Sequence, residues 1–395
     1  MISILNEKDC CGCGACASIC PKSAIFMSSS GTLGARLPVI SNEICVDCGL
    51  CERACPMLNK EDVTAKAFEQ RAYASYSKND ELRFASSSGG MFLTLAKHCI
   101  DDGYRVYGAS FNEGMKLKCT LATSYEELAP LAKSKYLQSE LDGEYRKIEE
   151  SLKNGEKVLF VSTPCQVSAL KLFLKKEYGN LLTVDFFCHG VPSQSFFDEC
   201  LAFEDEKKSR RTLEYTFREK VKNGVTPHYF KIKYEKNGKE QVKTDFYYKS
   251  LFYALFQQYI TLRESCYDCM FATKERCSDI TIGDFHDIDS YVKGINRFDG
   301  VSTVIVNTEK GQELLESVKD TLELFDMDMD RLISDKVIFA GGTKRPKGRD
   351  GFVELYNEHG LKGISKRYFG FKRYYKQSIY YRLPKPFRKV MKKLL

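Results

Sequence analysis

Cys10-Cys11-Gly12-Cys13-Gly14-Ala15-Cys16-Ala17-Ser18-Ile19-Cys20-Pro21 and Cys45-Val46-Asp47-Cys48-Gly49-Leu50-Cys51-Glu52-Arg53-Ala54-Cys55-Pro56 share one spacing, C-x2-C-x2-C-x3-C-P. Thiolates at this spacing hold 4Fe-4S cubanes in two-cluster ferredoxins. Three cysteines two apart lie on one tight loop and reach three irons of one cubane. The fourth begins a helical turn that points away, and it ligates the other cluster. The expected sets are therefore Cys10, Cys13, Cys16 and Cys55 for one cluster, and Cys45, Cys48, Cys51 and Cys20 for the other. Gly12, Gly14 and Gly49 suit a backbone wrapped close to sulfide. Zinc also binds C-x2-C pairs, but two copies of the run, each closed by a proline, favour iron–sulfur. Cys11 stands beside a ligand, outside the pattern, and reads as a spare thiol.

At 395 residues the chain has room for two or three domains. Its seventeen cysteines do not read as a secreted disulfide scaffold. Met1-Ile2-Ser3-Ile4-Leu5 runs straight into Asn6, Glu7, Lys8 and Asp9, so no secretory leader is expected. Cysteine in a cytosolic protein more often means metal or redox chemistry, and a cytoplasmic location is expected. No apolar run is long enough to span a membrane. The net charge of +7 misleads, because residues 361–395 hold twelve Lys or Arg and no acid, leaving −5 elsewhere. That argues against a nucleic-acid-binding core. The end of the chain mixes aromatics with cations, as in Tyr368-Phe369-Gly370-Phe371-Lys372-Arg373. Such composition suits peripheral contact with the inner face of an anionic membrane, and equally a solvated basic tail.

Outward from the cysteine runs, the pattern predicts an α+β chain. A bacterial-ferredoxin-like domain covers residues 1–60, with a short hairpin between its runs over 23–40. A polar linker over 58–70 leads to an α/β domain over 70–340, and a basic aromatic tail occupies 361–395. In the α/β domain, residues 72–76, 105–111, 157–161, 181–187, 279–283 and 302–306 read as strands. Residues 91–100, 145–153, 166–176, 250–263 and 311–324 read as helices. Continuous apolar strands alternating with helices predict parallel pairing. Two alternating runs flanking Asn237-Gly238 over 213–245 predict a hairpin insertion.

Chemistry is expected where strands end. Thr163-Pro164-Cys165 and Cys188-His189-Gly190 each follow a predicted parallel strand, and ligands collect outside the carboxyl ends of such strands. Cys165 and His189 are by position the candidate catalytic, proton-donating groups. Either cysteine alone could equally be a buried small hydrophobe. Cys266, Cys269 and Cys277 offer three thiolates, and a cubane or a zinc ion needs a fourth. Cys188 is the first choice for it and Cys165 the rival, with a third 4Fe-4S cluster preferred over zinc. The loop Ser86-Ser87-Ser88-Gly89-Gly90 before a helix could cradle a phosphate or simply turn. Ser134-Lys135-Tyr136-Leu137-Gln138-Ser139 offers a cation, an aromatic face and hydrogen-bond donors. Cys99, Cys119 and Cys200 read as structural.

Taken together and in this order, the two cysteine runs, Ser88-Gly89-Gly90, Ser134-Lys135-Tyr136, Gln138-Ser139, Thr163-Pro164-Cys165-Gln166, Cys188-His189-Gly190-Val191-Pro192-Ser193, Cys266-x2-Cys269 and Asp279-Ile280-Thr281-Ile282-Gly283-Asp284-Phe285 resemble one family. It is the coenzyme F420 hydrogenase/dehydrogenase beta subunit family, in its form with an N-terminal ferredoxin domain. The resemblance implies a flavoprotein oxidoreductase in which FAD connects 4Fe-4S clusters to a two-electron carrier or substrate. The 70–340 domain would then be the flavin-binding one. Ser88, Gly89, Gly90, Lys135, Gln138, Thr163 and Gln166 would line the flavin, and Cys188, Cys266, Cys269 and Cys277 would hold the proximal cluster. The carrier is the deazaflavin coenzyme in archaeal members and a chlorophyll derivative is the substrate in plant relatives. Bacterial members are often associated with surface-polysaccharide gene sets. An external ferredoxin or redox partner protein is implied, and a non-catalytic electron-transfer subunit of a larger complex is the alternative. The family usually has Trp after Gly-Asp-Phe. Here it is His286, read as filling space.

Overall fold

The computed structural model describes residues 6–64, 68–222, 224, 226–285, 288, 291–295, 299–334, 339, 341–369, 379–380 and 383. His286 and most of the expected tail lie outside these residues. Near the N-terminus, β1 (Ile25–Ser28) and β2 (Leu37–Ile40) form an antiparallel pair. Each cysteine run contains a short helical turn, Ala15–Ile19 in the first and Leu50–Arg53 in the second. Gly14 and Gly49 cap these turns at φ 80° and 69°, left-handed values open to glycine at little cost. The two turns pack on each other.

The second part of the chain is built on one eight-stranded mixed sheet. Its strands are β3 (Arg71–Ser77), β4 (Tyr104–Phe111), β5 (Leu117–Ala122), β6 (Lys157–Ser162) and β7 (Leu181–Phe186). A separate antiparallel sheet contains β8 (Arg211–Glu219), β9 (Tyr229–Lys236) and β10 (Lys239–Phe246). Asn237 and Gly238, both at positive φ, join β9 to β10 in the geometry of a primed two-residue turn. The large sheet is completed by β11 (Ile280–Asp284), β12 (Ser302–Val306) and β13 (Leu322–Met327), in the order β13-β3-β12-β11-β7-β6-β4-β5.

Parallel pairing is confined to the centre, β4-β6-β7-β11. The flanking β5, β12, β3 and β13 pair antiparallel to their neighbours, so the sheet is mixed rather than wholly parallel. The central strands are buried on both faces, as β6 shows with five of six residues buried, which gives them their continuous apolar reading. Two expected helices are shorter in the structure. The aromatic stretch from Ser250 is helical only over Leu251–Phe256, because the chain turns through Tyr259 at φ 54°. The helix expected over 311–324 is Glu309–Val318, followed by a 3-10 turn, Lys319–Thr321, and then by the start of β13, where Leu322 supplies a buried edge contact.

An aromatic layer of Phe196, Phe197, Phe217, Phe252 and Phe352 closes the second part on the side of the small sheet. Phe352 belongs to a helix, Arg349–Tyr368, kinked at Gly360, with Leu361 and Ile364 buried in the same layer. Among the described residues no helix is long and apolar enough to cross a membrane.

Candidate metal centre

Parallel registry decides what meets at the sheet's edge. Ser162 of β6 pairs with Asp185 of β7, and Phe186 of β7 with Ile282 of β11. The residues that follow β6 and β7, Cys165 and Cys188, therefore leave the sheet side by side. They line one cavity together with Cys266, Cys269, Thr163, Gly190 and Arg276. Burial pushes the Cys188 thiol well above its ordinary range and raises Cys266 to about 12 and Cys269 to about 11. Thiols held this way are poor free nucleophiles and become thiolates readily only when a metal takes the proton's place.

Cys277 is not brought to this cavity. Its Sγ donates to the Pro164 carbonyl at 3.5 Å, within the apolar layer that contains Phe160 and Val167. The preceding residue, Arg276, faces the cavity instead, fixed by an ion pair with Asp185 at 3.0 Å in which both side chains are buried. His189 is exposed, its ring stacks on Tyr259 at 6.0 Å, and its carbonyl accepts from Thr343. It does not line the cavity.

A second cysteine-lined cavity lies in the N-terminal module. Cys10, Cys13 and Cys16 of the first run line it, and so does Cys55 of the second run. This is the crossed set that the spacing predicts. Burial raises Cys16 to about 12 and Cys55 to about 11. The other expected set is Cys45, Cys48, Cys51 and Cys20. Cys48 is exposed, while Cys51 and Cys20 pack in one apolar cluster with Cys16 and Cys55. The cysteines line voids rather than converging. Among the described residues no three Cys, His, Asp or Glu stand as a single bound metal ion would hold them. A cubane spreads its thiolates over separate iron corners and needs space between them. The donor sets fit that group, and backbone N–H groups already point at sulfur, Gly12 at Cys10 and Ala24 at Cys20.

The first run is gripped by the second part of the chain. Arg263 Nε and Ser265 Oγ donate to the Cys10 carbonyl at 2.8 and 2.9 Å. Gln138 Nε2 donates to the Cys11 carbonyl at 2.6 Å and Tyr145 Oη to that of Cys13 at 3.0 Å. Arg263 also donates to Gln138 Oε1, and its guanidinium lies 3.8 Å from Cys10 Sγ. No spacing rule announces Arg263 or Arg276; their only sequence signal is adjacency to the third cysteine set.

The residues expected around a flavin fall into two neighbourhoods. Gln138, Thr163 and Gln166 sit with the cysteines. Thr163 Oγ1 contacts Cys165 Sγ at 3.3 Å, while Gln166 is fully buried and bonded to Ser139, Ser162 and Thr163. Ser88, Gly89 and Gly90 form a loop pinned to residues 300–302: Ser88 Oγ donates to the Val301 carbonyl, and Ser302 Oγ accepts from Gly89 N–H. Lys135 turns back to the carbonyls of Pro130 and Ala132, and its pKa is lowered to about 7 by burial and by Lys133. Residues 134–139 connect the two neighbourhoods. Ser134 N–H donates to Ser87 Oγ at one end, Gln138 holds Cys11 at the other, and Tyr136 stacks on Phe256 between them.

Cations that sequence reading passed over crowd the Ser86–Gly90 loop. Lys220 donates to the carbonyls of Arg83, Ser88 and Asp299, and Arg218 donates to that of Ser87 while pairing with Asp284. Burial, then Arg83 and Arg218, push Lys220 down to about 7. Three cationic side chains beside one serine–glycine loop, partly offset by Asp284 and Asp299, would suit an anion such as a phosphate.

Fold and site together define an iron–sulfur redox protein. Residues 9–58 match the model of a 4Fe-4S dicluster domain, and residues 155–329 match that of the C terminus of the coenzyme F420 hydrogenase/dehydrogenase beta subunit. The chain thus carries a region that matches the beta subunit's C terminus, with a 4Fe-4S dicluster domain ahead of it. It is 25% identical over 384 residues to the coenzyme F420-dependent sulfite reductase of Methanocaldococcus jannaschii. That alignment takes in 92% of this chain and 55% of the relative, so the chain spans about half of the relative's length. A chain of the F420-reducing [NiFe] hydrogenase complex from Methanosarcina barkeri is a looser structural likeness. There the TM-score is 0.45 and the identity 16%, over 73% of this chain and 92% of that one.

Proposed function

We propose that the chain is an iron–sulfur flavoprotein oxidoreductase with three 4Fe-4S clusters and FAD, acting on a two-electron carrier such as the deazaflavin coenzyme. The observation that carries this reading is the cavity lined by Cys165, Cys188, Cys266 and Cys269, standing against the cavity of the first dicluster set. In this reading Cys165, not Cys277, completes the third set. Bound clusters supply single electrons, and a flavin converts them to pairs.

The chain's own residues do the rest. Arg263 and Arg276 place positive charge beside thiolates. Gln138, Tyr145 and Ser265 fix the first run against the second part of the chain. Lys220, Arg83 and Arg218 would hold the flavin's phosphates beside Ser88, and the 134–139 segment would carry its ring toward the cysteines.

Anaerobically purified protein should contain about twelve irons per chain and release FAD on denaturation. Zinc, or about eight irons, would remove the third cluster. Turnover by the isolated chain with reduced ferredoxin and the deazaflavin coenzyme separates an enzyme from an electron-transfer subunit of a larger complex.

A further inference from the structure

Among the described residues the buried arginines are Arg218, Arg263, Arg276 and Arg349. Three of them are paired with a carboxylate: Arg218 with Asp284, Arg276 with Asp185 at 3.0 Å and Arg349 with Glu264 at 3.1 Å. Arg263 is the exception, and among the described residues it makes no ion pair. Its Nε donates to the Cys10 carbonyl at 2.8 Å and its Nη1 to Gln138 Oε1 at 3.1 Å. Its Nη2 donates to the Arg36 carbonyl and, at 3.8 Å, to Cys10 Sγ. Carbonyl and amide oxygens are neutral. The one acceptor that can carry a negative charge is the sulfur of Cys10.

A buried charge without a counter-charge is strongly disfavoured, yet this one is held in place from both ends. The Arg263 backbone N–H donates to the Val191 carbonyl at 2.9 Å, and its carbonyl accepts from the Cys266 N–H at 3.0 Å. The guanidinium therefore starts from the loop of the third cysteine set and reaches across to the first run. Gly12 leaves the room for it, since a Cβ there would lie 2.6 Å from the guanidinium carbon. The other expected set has cations of a different kind. Arg53 donates to the Cys48 carbonyl at 3.5 Å and Arg146 to that of Cys20 at 3.0 Å, both in exposed contacts. Water and salt screen charges placed there.

We propose that Arg263 is a positioning residue whose counter-charge is the cluster on Cys10, Cys13, Cys16 and Cys55, and that it holds this inner cluster at a potential where it can be reduced. The inference rests on the dicluster reading of those four cysteines and not on the third set. A cubane on four thiolates is an anion, and reduction adds one more negative charge. Burial disfavours the more charged, reduced form, while an adjacent positive charge and a hydrogen bond to a ligand sulfur favour it. Arg263 supplies both. Removing its charge should make the inner cluster harder to reduce and leave the outer one, on Cys45, Cys48, Cys51 and Cys20, unchanged.

The test is a redox titration, followed by low-temperature EPR, of full-length protein purified anaerobically as wild type, Arg263→Gln and Arg263→Lys. Iron is counted in each, and the inner signal is the one that Cys55→Ala removes. For Arg263→Gln, the ratio of reduced to oxidised inner cluster should fall about tenfold at fixed poise, which is about 59 mV for one electron. Arg263→Lys keeps the charge without the planar fork, and should recover at least half of that shift. Loss of about four irons from Arg263→Gln alone, with Arg263→Lys near wild type in iron and potential, would also support the proposal. Arg263→Gln with full iron and an unmoved inner potential would overturn it. So would a shift in Arg263→Lys as large as that in Arg263→Gln, because the effect would then follow the hydrogen bonds and not the charge. Loss of about four irons from both variants would overturn it too, since Arg263 would then be only a clamp. Wild-type protein without iron instead sinks the dicluster reading, and is seen before any variant is made.

Discussion

The two cysteine runs are one pattern in two settings. Their backbones agree step for step: Gly12 and Asp47 both have left-handed φ, at 66° and 51°, as do Gly14 and Gly49. Their surroundings do not agree. The first run is clamped by Arg263, Gln138, Tyr145 and Ser265, and its inner thiols are raised by burial. The second run carries exposed Cys48 and Val46. At the step after Cys11, a Cβ on Gly12 would lie 2.6 Å from the Arg263 guanidinium. At the matching step after Val46 the chain places aspartate, a residue that tolerates left-handed φ. Ligand spacing thus sets what a run binds. The residue between ligands reports what the run touches.

The contrast can be broken most sharply at the crossed ligands. Cys55→Ala should remove the buried cluster, and Cys20→Ala the outer one, each costing about four irons. Loss of the same EPR signal in both variants would refute the crossing. A milder probe uses exposure. Under a chelator or slow admission of air, the outer cluster on Cys45, Cys48 and Cys51 should bleach first, and the signal assigned by Cys20→Ala should decay ahead of the others. Simultaneous decay would mean that the two runs are equally accessible.

Two glycines then separate backbone cost from contact. Gly49→Ala meets nothing within 4 Å and should cost only the left-handed penalty, about 1 kcal/mol. Gly12→Ala adds displacement of Arg263 and its carbonyl bonds, and should cost about 3 kcal/mol. Melting temperatures of the two iron-loaded variants measure the difference, and equal values would mean that the Arg263 contact contributes nothing. The smallest effect is expected for Asp47→Gly, within about 0.5 kcal/mol, since glycine readily takes the left-handed φ of 51° that Asp47 already has.

Much of this was legible in the chain. The crossed set of Cys10, Cys13, Cys16 and Cys55 follows from spacing, because a ligand triplet on one loop is a local property. The adjacency of Cys165 and Cys188 follows from two apolar strands with a helix between them. Other features were not legible. Cys277 has the spacing of a ligand, yet it is turned into an apolar layer because Asp185 holds Arg276 toward the cavity. The antiparallel edges of the sheet depend on β3, β12 and β13, which are far apart in sequence and meet only through the fold. Lys220 and Arg218 carry no motif and matter because they converge on one loop.

The sequence by itself determined the metal chemistry of the N-terminal module, since thiolate spacing over a dozen residues is fixed by local loop geometry. It also determined the central strands, whose apolar runs can be satisfied only by burial on both faces. Only the tertiary structure decided which run is buried, which cysteines share the second cavity and where Cys11 sits. Those outcomes depend on side chains such as Arg263 arriving from more than two hundred residues away, and pairing over that distance leaves no periodicity to read.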